Sequence, residues 1–125
     1  MKNILIINGH PNPASFNFAL AEAYKKGALQ SDAKVETITI ANLKFNPNLQ
    51  FGYQRRTELE PDLLESWEKI KRADHLVWIH PVWWGGLPAI TKGFIDRRFL
   101  PGMAFRYREN SVWWDKLLKD KTAHI

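Results

Sequence analysis

The segment that most constrains the fold is Lys2-Asn3-Ile4-Leu5-Ile6-Ile7, a short β-branched and apolar run that stops at Asn8-Gly9-His10-Pro11. A run that is apolar at successive positions reads as a strand buried on both faces, which requires a layer of structure on each side of its sheet. From Ser15 onward Phe16, Ala19, Leu20, Ala23, Tyr24, Gly27 and Ala28 recur every three or four residues. This spacing predicts a helix with one apolar stripe, opened by Ser15 as N-cap. Lys34 to Ile40 is β-branched and alternating, so it predicts a second strand with one less buried face. Strand, helix and strand within forty residues form a βαβ unit, whose crossover is right-handed and whose sheet is parallel.

Beyond it, Asn42 to Glu60 has no sustained period and carries Asn-Pro and Phe-Gly, the signature of a long functional or mobile loop. Pro61 is placed to open a second helix, with Leu64, Trp67, Ile70 and Ala73 as its buried stripe and Asp74 at its end. His75 to Ile79 predicts a third strand, Pro81 to Leu87 a glycine-containing turn, and Pro88 the start of a helix running to about Phe99. A short helical piece is expected around Val112 to Leu118, and Lys121 to Ile125 reads as the opening of a fourth strand. Alternating β and α elements with buried parallel strands indicate an α/β doubly wound sheet. The 125 residues fit one domain, and no repeat divides them.

Cysteine is absent, which excludes disulfides, thiolate metal sites, iron–sulfur clusters and a cysteine nucleophile. His10, His75, His80 and His124 have no common metal-ligand spacing, so no metal is expected. Only four consecutive apolar residues follow Met1-Lys2-Asn3, and no window is long enough to span a bilayer. The expectation is a cytoplasmic protein without membrane insertion. The formal charge of +5 suits anionic partners, but Lys25-Lys26, Arg55-Arg56 and Arg97-Arg98 are separate pairs that read as solvated faces. No nucleic-acid partner is expected, whereas a phosphorylated dinucleotide suits the same charge.

In doubly wound sheets ligands gather beyond the carboxyl ends of the strands, where strand order reverses. The loop after strand one, Gly9 to Asn17, delivers backbone N–H groups and a hydroxyl to a helix N-terminus, a ready anion site. It matches neither GxGxxG nor the Walker pattern. The loop after strand three, His80 to Pro88, places Trp83-Trp84-Gly85-Gly86 at a strand-to-helix turn, where indoles offer stacking surface and glycine permits close backbone approach.

Gly9-His10-Pro11 with Ser15-Phe16-Asn17, the turn Pro81-Val82-Trp83-Trp84-Gly85-Gly86-Leu87-Pro88-Ala89, the segment Lys92-Gly93-Phe94-Ile95-Asp96-Arg97-Arg98-Phe99 and the later Ala104-Phe105-Arg106-Tyr107 resemble the flavodoxin-like NAD(P)H:quinone oxidoreductases. The resemblance extends from about Asn3 to the last residue. It implies a flavodoxin-like three-layer α/β/α domain with a parallel sheet of order 2-1-3-4, and FAD or FMN as cofactor, with a lean to FAD. His10, Ser15, Phe16 and Asn17 are then expected to cradle the flavin phosphate, with Ala14 and Ala19 at its edge. Pro81, Val82, Trp83 and Trp84 are expected along the isoalloxazine ring, with Gly85 where relatives often carry a larger residue. Phe105 and Tyr107 are expected at a substrate pocket, reaching the other subunit of a homodimer. The implied reaction is ping-pong: NAD(P)H gives a hydride to the flavin, and a quinone or similar small-molecule acceptor then takes two electrons.

From the residues alone His10 reads as a turn histidine bonded to backbone; the resemblance reverses this to a ligand contact. Trp78 reads as core, Trp113-Trp114 as packing or interface residues, and His80 as structural. Ser15 lacks a GxSxG elbow and is not read as a nucleophile. Glu58, Glu60, Asp62, Glu65, Glu68 and Asp96 read as exposed charge rather than an acid/base couple, and no catalytic residue is assigned. Relatives continue past the equivalent of Ile125 into a fifth strand, so the resemblance also implies a domain incomplete at its C-terminus. The alternative function is a flavin- or nucleotide-binding regulatory partner, as in the ancillary flavoproteins of potassium efflux systems.

Overall fold

A computed structural model describes residues 1–125. The elements are β1 (Asn3–Asn8), α1 (Phe16–Gln30), β2 (Lys34–Thr39), a 3-10 turn (Ile40–Asn42), α2 (Pro61–Arg72), β3 (His75–Ile79), α3 (Ala89–Arg98), β4 (Phe105–Tyr107), β5 (Trp114–Lys116) and β6 (Thr122–His124). Four strands form a parallel sheet of order β2-β1-β3-β6. β6 is the fourth sheet strand expected at the end of the chain, so the order 2-1-3-4 holds. Asn8 faces Ile79 across the β1–β3 pair, which sets the ends of those strands side by side at the point where strand order reverses.

Successive residues of β1 serve opposite layers. Leu5 and Ile7 join Ile38, Leu63, Ile70, Leu76 and Phe94 in the larger core under α2 and α3, whereas Ile6 packs with Ala21 and Val77 under α1. Alternate side chains of a strand point to opposite faces, so the unbroken apolar run of β1 is the direct consequence of two covered faces. Truncating Ile7, which is fully buried, to alanine costs about 2–5 kcal/mol.

Several expectations are corrected. On α1 the inward line is Phe18, Ala21, Tyr24 and Ala28, while Phe16, Ala19, Leu20, Ala23 and Gly27 are exposed. The helix carries apolar residues around most of its circumference, so the spacing admits more than one inward register. On α2 Leu63 is buried and Leu64 exposed; Ser66 lies in the buried stripe because its hydroxyl donates to the Asp62 carbonyl at 2.7 Å. The segment expected as a helix around Val112 to Leu118 contains β5, antiparallel to β4. Arg106 and Arg108 both reach Asp115, at 3.5 and 2.7 Å, across that hairpin.

Arg97 and Arg98 are not a solvated pair: both are fully buried. Arg97 meets the Glu60 carboxylate at 2.6 Å and donates to the Asn46 and Glu58 carbonyls. Glu60 is therefore a tethering group rather than exposed charge. Burial disfavours its ionised form, but hydrogen bonds from Arg97 and from the Asn46 N–H outweigh this and hold its carboxyl below the ordinary value. Gly93 lies so close to Pro47 that a Cβ there has no room. These contacts pin the irregular segment 43–60 onto α3. Arg98 has no carboxylate partner; it donates to the Leu63 carbonyl at 2.9 Å and lies over the Trp67 ring. Burial, with Arg97 adjacent, pushes it down to about 10.

Candidate cofactor site

The loop after β1 is built by a relay of side-chain-to-backbone hydrogen bonds. The Gly9 N–H donates to the Ile79 carbonyl at 2.8 Å, and the Gly9 carbonyl accepts the Thr91 hydroxyl at 2.6 Å. A Cβ at Gly9 would fall 2.5 Å from Thr91 Oγ1 and 3.3 Å from His80 Cβ, so only glycine fits between β3 and α3. The His10 N–H donates to Asn8 Oδ1, the Asn12 N–H to His10 Nδ1 and the Ala14 N–H to Asn12 Oδ1, at 3.1, 2.9 and 2.9 Å. Because His10 Nδ1 is an acceptor, the neutral imidazole carries its proton on Nε2 and presents a donor there.

Ser15 stands at the N-cap of α1 with φ −81° and ψ 160°, but its hydroxyl makes no capping bond. The Ser15 Oγ is buried and without any hydrogen-bond partner. Buried hydroxyls are normally satisfied, and this one stands beside the first-turn N–H groups of Phe16 and Asn17, which a helix leaves unpaired. The helix dipole adds partial positive charge there. An anionic oxygen would satisfy all three donors at once.

The loop after β3 presents the second surface. Trp83 and Gly86 exchange two backbone hydrogen bonds of 3.0 Å, closing a tight turn in which Trp84 and Gly85 have φ of 52° and 71°. Two successive positive φ values define a type I′ turn. Tryptophan in the left-handed region is unusual and costs on the order of 1–3 kcal/mol, the kind of strain that concentrates at ligand clamps. Val82 and Trp84 project into solvent, Trp84 with its whole side chain free. The rings of His10 and Trp83 meet edge to face, 5.4 Å apart at 80°, and join the two loops into one surface.

The structure thus brings His10, Ser15 and the start of α1, with Phe16 and Asn17, together with Trp83 and its turn from Pro81 to Gly85. Ala14 and Ala19 lie on the exposed flank of the first loop and helix. His80 donates from Nδ1 to the neighbouring Pro81 carbonyl at 2.9 Å, a local structural role. Phe105 and Tyr107 are not part of this surface within one chain. Their rings contact each other at 5.3 Å on β4, and Tyr107 lines a cavity of about 790 Å³ with Tyr53, Leu64 and Met103. Two contributors escaped the sequence reading. Thr91 sits in the first turn of α3, where nothing in the spacing marks it. Asn8 is buried with Nδ2 unpartnered; a polar residue closing an apolar run is its only signal.

These residues fit a ligand with an anionic group and a planar ring, since the unsatisfied hydroxyl lies in the loop that touches the exposed indole turn. Residues 2–125 match the family model described as flavodoxin-like fold. The chain belongs to the flavodoxin-like fold family. This flavodoxin-like chain is 28% identical over 127 residues to NAD(P)H dehydrogenase [quinone] 1 of Cavia porcellus, covering 86% of the chain and 46% of that protein. It is 31% identical over 108 residues to an uncharacterized NAD(P)H oxidoreductase of Haemophilus influenzae, covering 83% and 54%. The solved NAD(P)H:quinone oxidoreductase of Methanothermobacter marburgensis superposes with a TM-score of 0.75 at 32% identity, over 85% of this chain and 57% of that one. The flavodoxin-like chain therefore spans about half the length of these relatives.

Proposed function

We propose that this chain is a flavin-dependent NAD(P)H oxidoreductase that passes two electrons to a quinone or similar small-molecule acceptor. The observation that carries the reading is the buried, unpartnered Ser15 hydroxyl at the N-terminus of α1, joined through the His10–Trp83 contact to an exposed indole turn. Bound flavin supplies the hydride and electron chemistry. The protein supplies the rest: Ser15 and the first-turn N–H groups of Phe16 and Asn17 hold the phosphate, and His10 donates from Nε2. The turn from Pro81 to Gly85 offers apolar surface and N–H groups along the ring. Ala14 and Ala19 border the phosphate side. No side chain of the chain is assigned to hydride transfer.

The names of the relatives, a quinone dehydrogenase and NAD(P)H oxidoreductases, support an enzyme over a regulatory partner without turnover. The lean to FAD over FMN and the homodimer rest on the resemblance, the single domain over 1–125 on chain length, and a cytoplasmic location is proposed with them. In a dimer, Phe105 and Tyr107 would border the acceptor pocket of the other subunit, which accounts for their separation from the cofactor loops of their own chain. No helix is long and apolar enough to cross a membrane, and no group of three or more potential metal ligands is present.

The test is reconstitution with FAD and separately with FMN, followed by visible absorbance and by NADH or NADPH oxidation with a soluble quinone. Stoichiometric flavin absorbance that bleaches with NAD(P)H and recovers with quinone is the expected result. Failure to retain either flavin defeats the proposal; retention without turnover leaves the binding module and removes the enzyme.

A further inference from the structure

At the opposite end of the sheet from the two loops lies a cavity of about 590 Å³ between the end of α2, β5 and the start of β6. Five of its eight lining side chains are cationic, Lys71, Arg106, Lys116, Lys119 and Lys121, and one, Asp115, is anionic. The local excess of four positive charges accounts for most of the formal +5 of the chain. The paired lysines and arginines elsewhere give no such concentration: Arg97 and Arg98 are buried, and Arg55 lies over the Phe51 ring.

Part of this arrangement is held in place. Lys121 donates from Nζ to the carbonyls of Lys71 and Ala73 at 2.7 and 2.5 Å, at the end of α2, and takes no carboxylate partner. Asp115 is engaged by Arg108 at 2.7 Å and Arg106 at 3.5 Å, so it is committed within its own hairpin. Lys71 pairs with Glu68 on the outer face of α2. Lys116 and Lys119 are exposed and have no carboxylate partner. Like charges gathered around one concavity repel one another; Glu68 and Asp115 offset Lys71 and Arg106, while no carboxylate pairs with Lys116, Lys119 or Lys121. The two apolar lining residues, Leu117 and Leu118, are aliphatic, so the cavity has no aromatic surface on which a base could stack.

We propose that this cavity is a second anion site, separate from the flavin loops, that takes a compact oligophosphate through Lys116, Lys119 and Arg106, with Lys121 fixed at its base. β3, whose five residues span roughly 17 Å, separates the two sites. The cations gather around one open concavity lined by eight residues rather than along an extended face, which suits a short polyanion over an extended nucleic-acid strand.

Isothermal titration of the full chain with inorganic tripolyphosphate tests this. Saturable binding of one anion per chain that persists in Ser15→Ala is expected, weakening as salt is raised. Lys116→Ser with Lys119→Ser should weaken it by about a hundredfold, about tenfold for each charge-assisted contact removed. Lys116→Arg with Lys119→Arg should retain it, as should Ser15→Ala, which alters only the flavin cradle. Absence of saturable heat at millimolar anion, unchanged affinity in the double serine variant, or loss in Ser15→Ala overturns the assignment. So does a single-stranded oligonucleotide that binds more tightly than tripolyphosphate in proportion to its length. Flavin retention in the double serine variant, measured separately, keeps this outcome apart from any failure of the cofactor site.

Discussion

The Thr91 hydroxyl on α3 donates to the Gly9 carbonyl at 2.6 Å, with both residues buried, and so fixes the height of the loop that carries His10 above the sheet. Thr91→Val keeps the shape but leaves a buried carbonyl without its partner, at a cost of about 1–3 kcal/mol. The expected outcome is a lower urea midpoint together with weaker flavin retention. Loss of stability with full retention of flavin would show that Gly9 is anchored well enough by Ile79 alone.

Ser15→Ala should separate the cofactor from the fold. An N-cap serine that caps its helix loses about 0.5–2 kcal/mol on replacement by alanine, but the Ser15 Oγ makes no capping bond and has no partner. Alanine should therefore leave the thermal midpoint unchanged or slightly raised while weakening flavin binding roughly tenfold, the worth of one charge-assisted hydrogen bond. Fluorescence titration against flavin and a melting curve on the same preparation read the two effects. A marked fall in the midpoint with unaltered flavin affinity would assign the hydroxyl to the fold instead.

Arg97 and Glu60 hold segment 43–60 on α3. Removing the carboxylate leaves the buried guanidinium with only the Asn46 and Glu58 carbonyls as acceptors, so Glu60→Gln should be destabilising, by about 1–3 kcal/mol because Glu60 is itself partly exposed. Arg97→Met with Glu60→Gln should recover part of it. The pH dependence has a definite sign. The folded pKa of Glu60 lies below its ordinary value, so the stabilisation is present above the carboxylate's unfolded pKa and is lost as pH falls through the folded one. Urea midpoints from pH 7 down to 3 should fall more steeply for the native chain than for the double variant.

The legible parts of this molecule are those where one physical demand dominates. β1 is read correctly because two covered faces require apolar residues at every position, and the two strand-to-helix loops are placed correctly because glycine and proline end the apolar runs there. The inward face of α1 is misread because Phe16, Phe18, Leu20 and Leu29 spread apolar surface around the helix, and spacing alone does not choose among its registers. Arg97 and Arg98 look solvated in sequence because their partners, the Asn46 and Leu63 carbonyls and the Glu60 carboxylate, lie 35 to 51 residues away. The β4–β5 hairpin is missed for a different reason: its partners are near in sequence, with Arg108 and Asp115 only 7 residues apart, but Val112 to Leu118 taken alone has a helical spacing.

His75 links the sheet to pH near neutrality. Its Nδ1 lies 2.6 Å from the Thr122 hydroxyl, bridging β3 to β6, while burial, then Lys2 and His124, hold its pKa below the ordinary value. The unfolded chain therefore takes up this proton before the folded one does as pH falls. Stability contributed by the neutral ring is fully present above about 6.5, the ordinary histidine value, and declines as pH drops through the lower folded pKa. Thermal midpoints measured from pH 8 to 5 should fall on the acid side, and His75→Asn, which keeps a polar partner for Thr122 without titrating, should flatten that fall. An equal fall in the variant would place the acid sensitivity outside the β3–β6 pair. Amide exchange at Ala123 and His124, faster in the native chain at pH 5.5 than in the variant, would locate it at the edge strand itself.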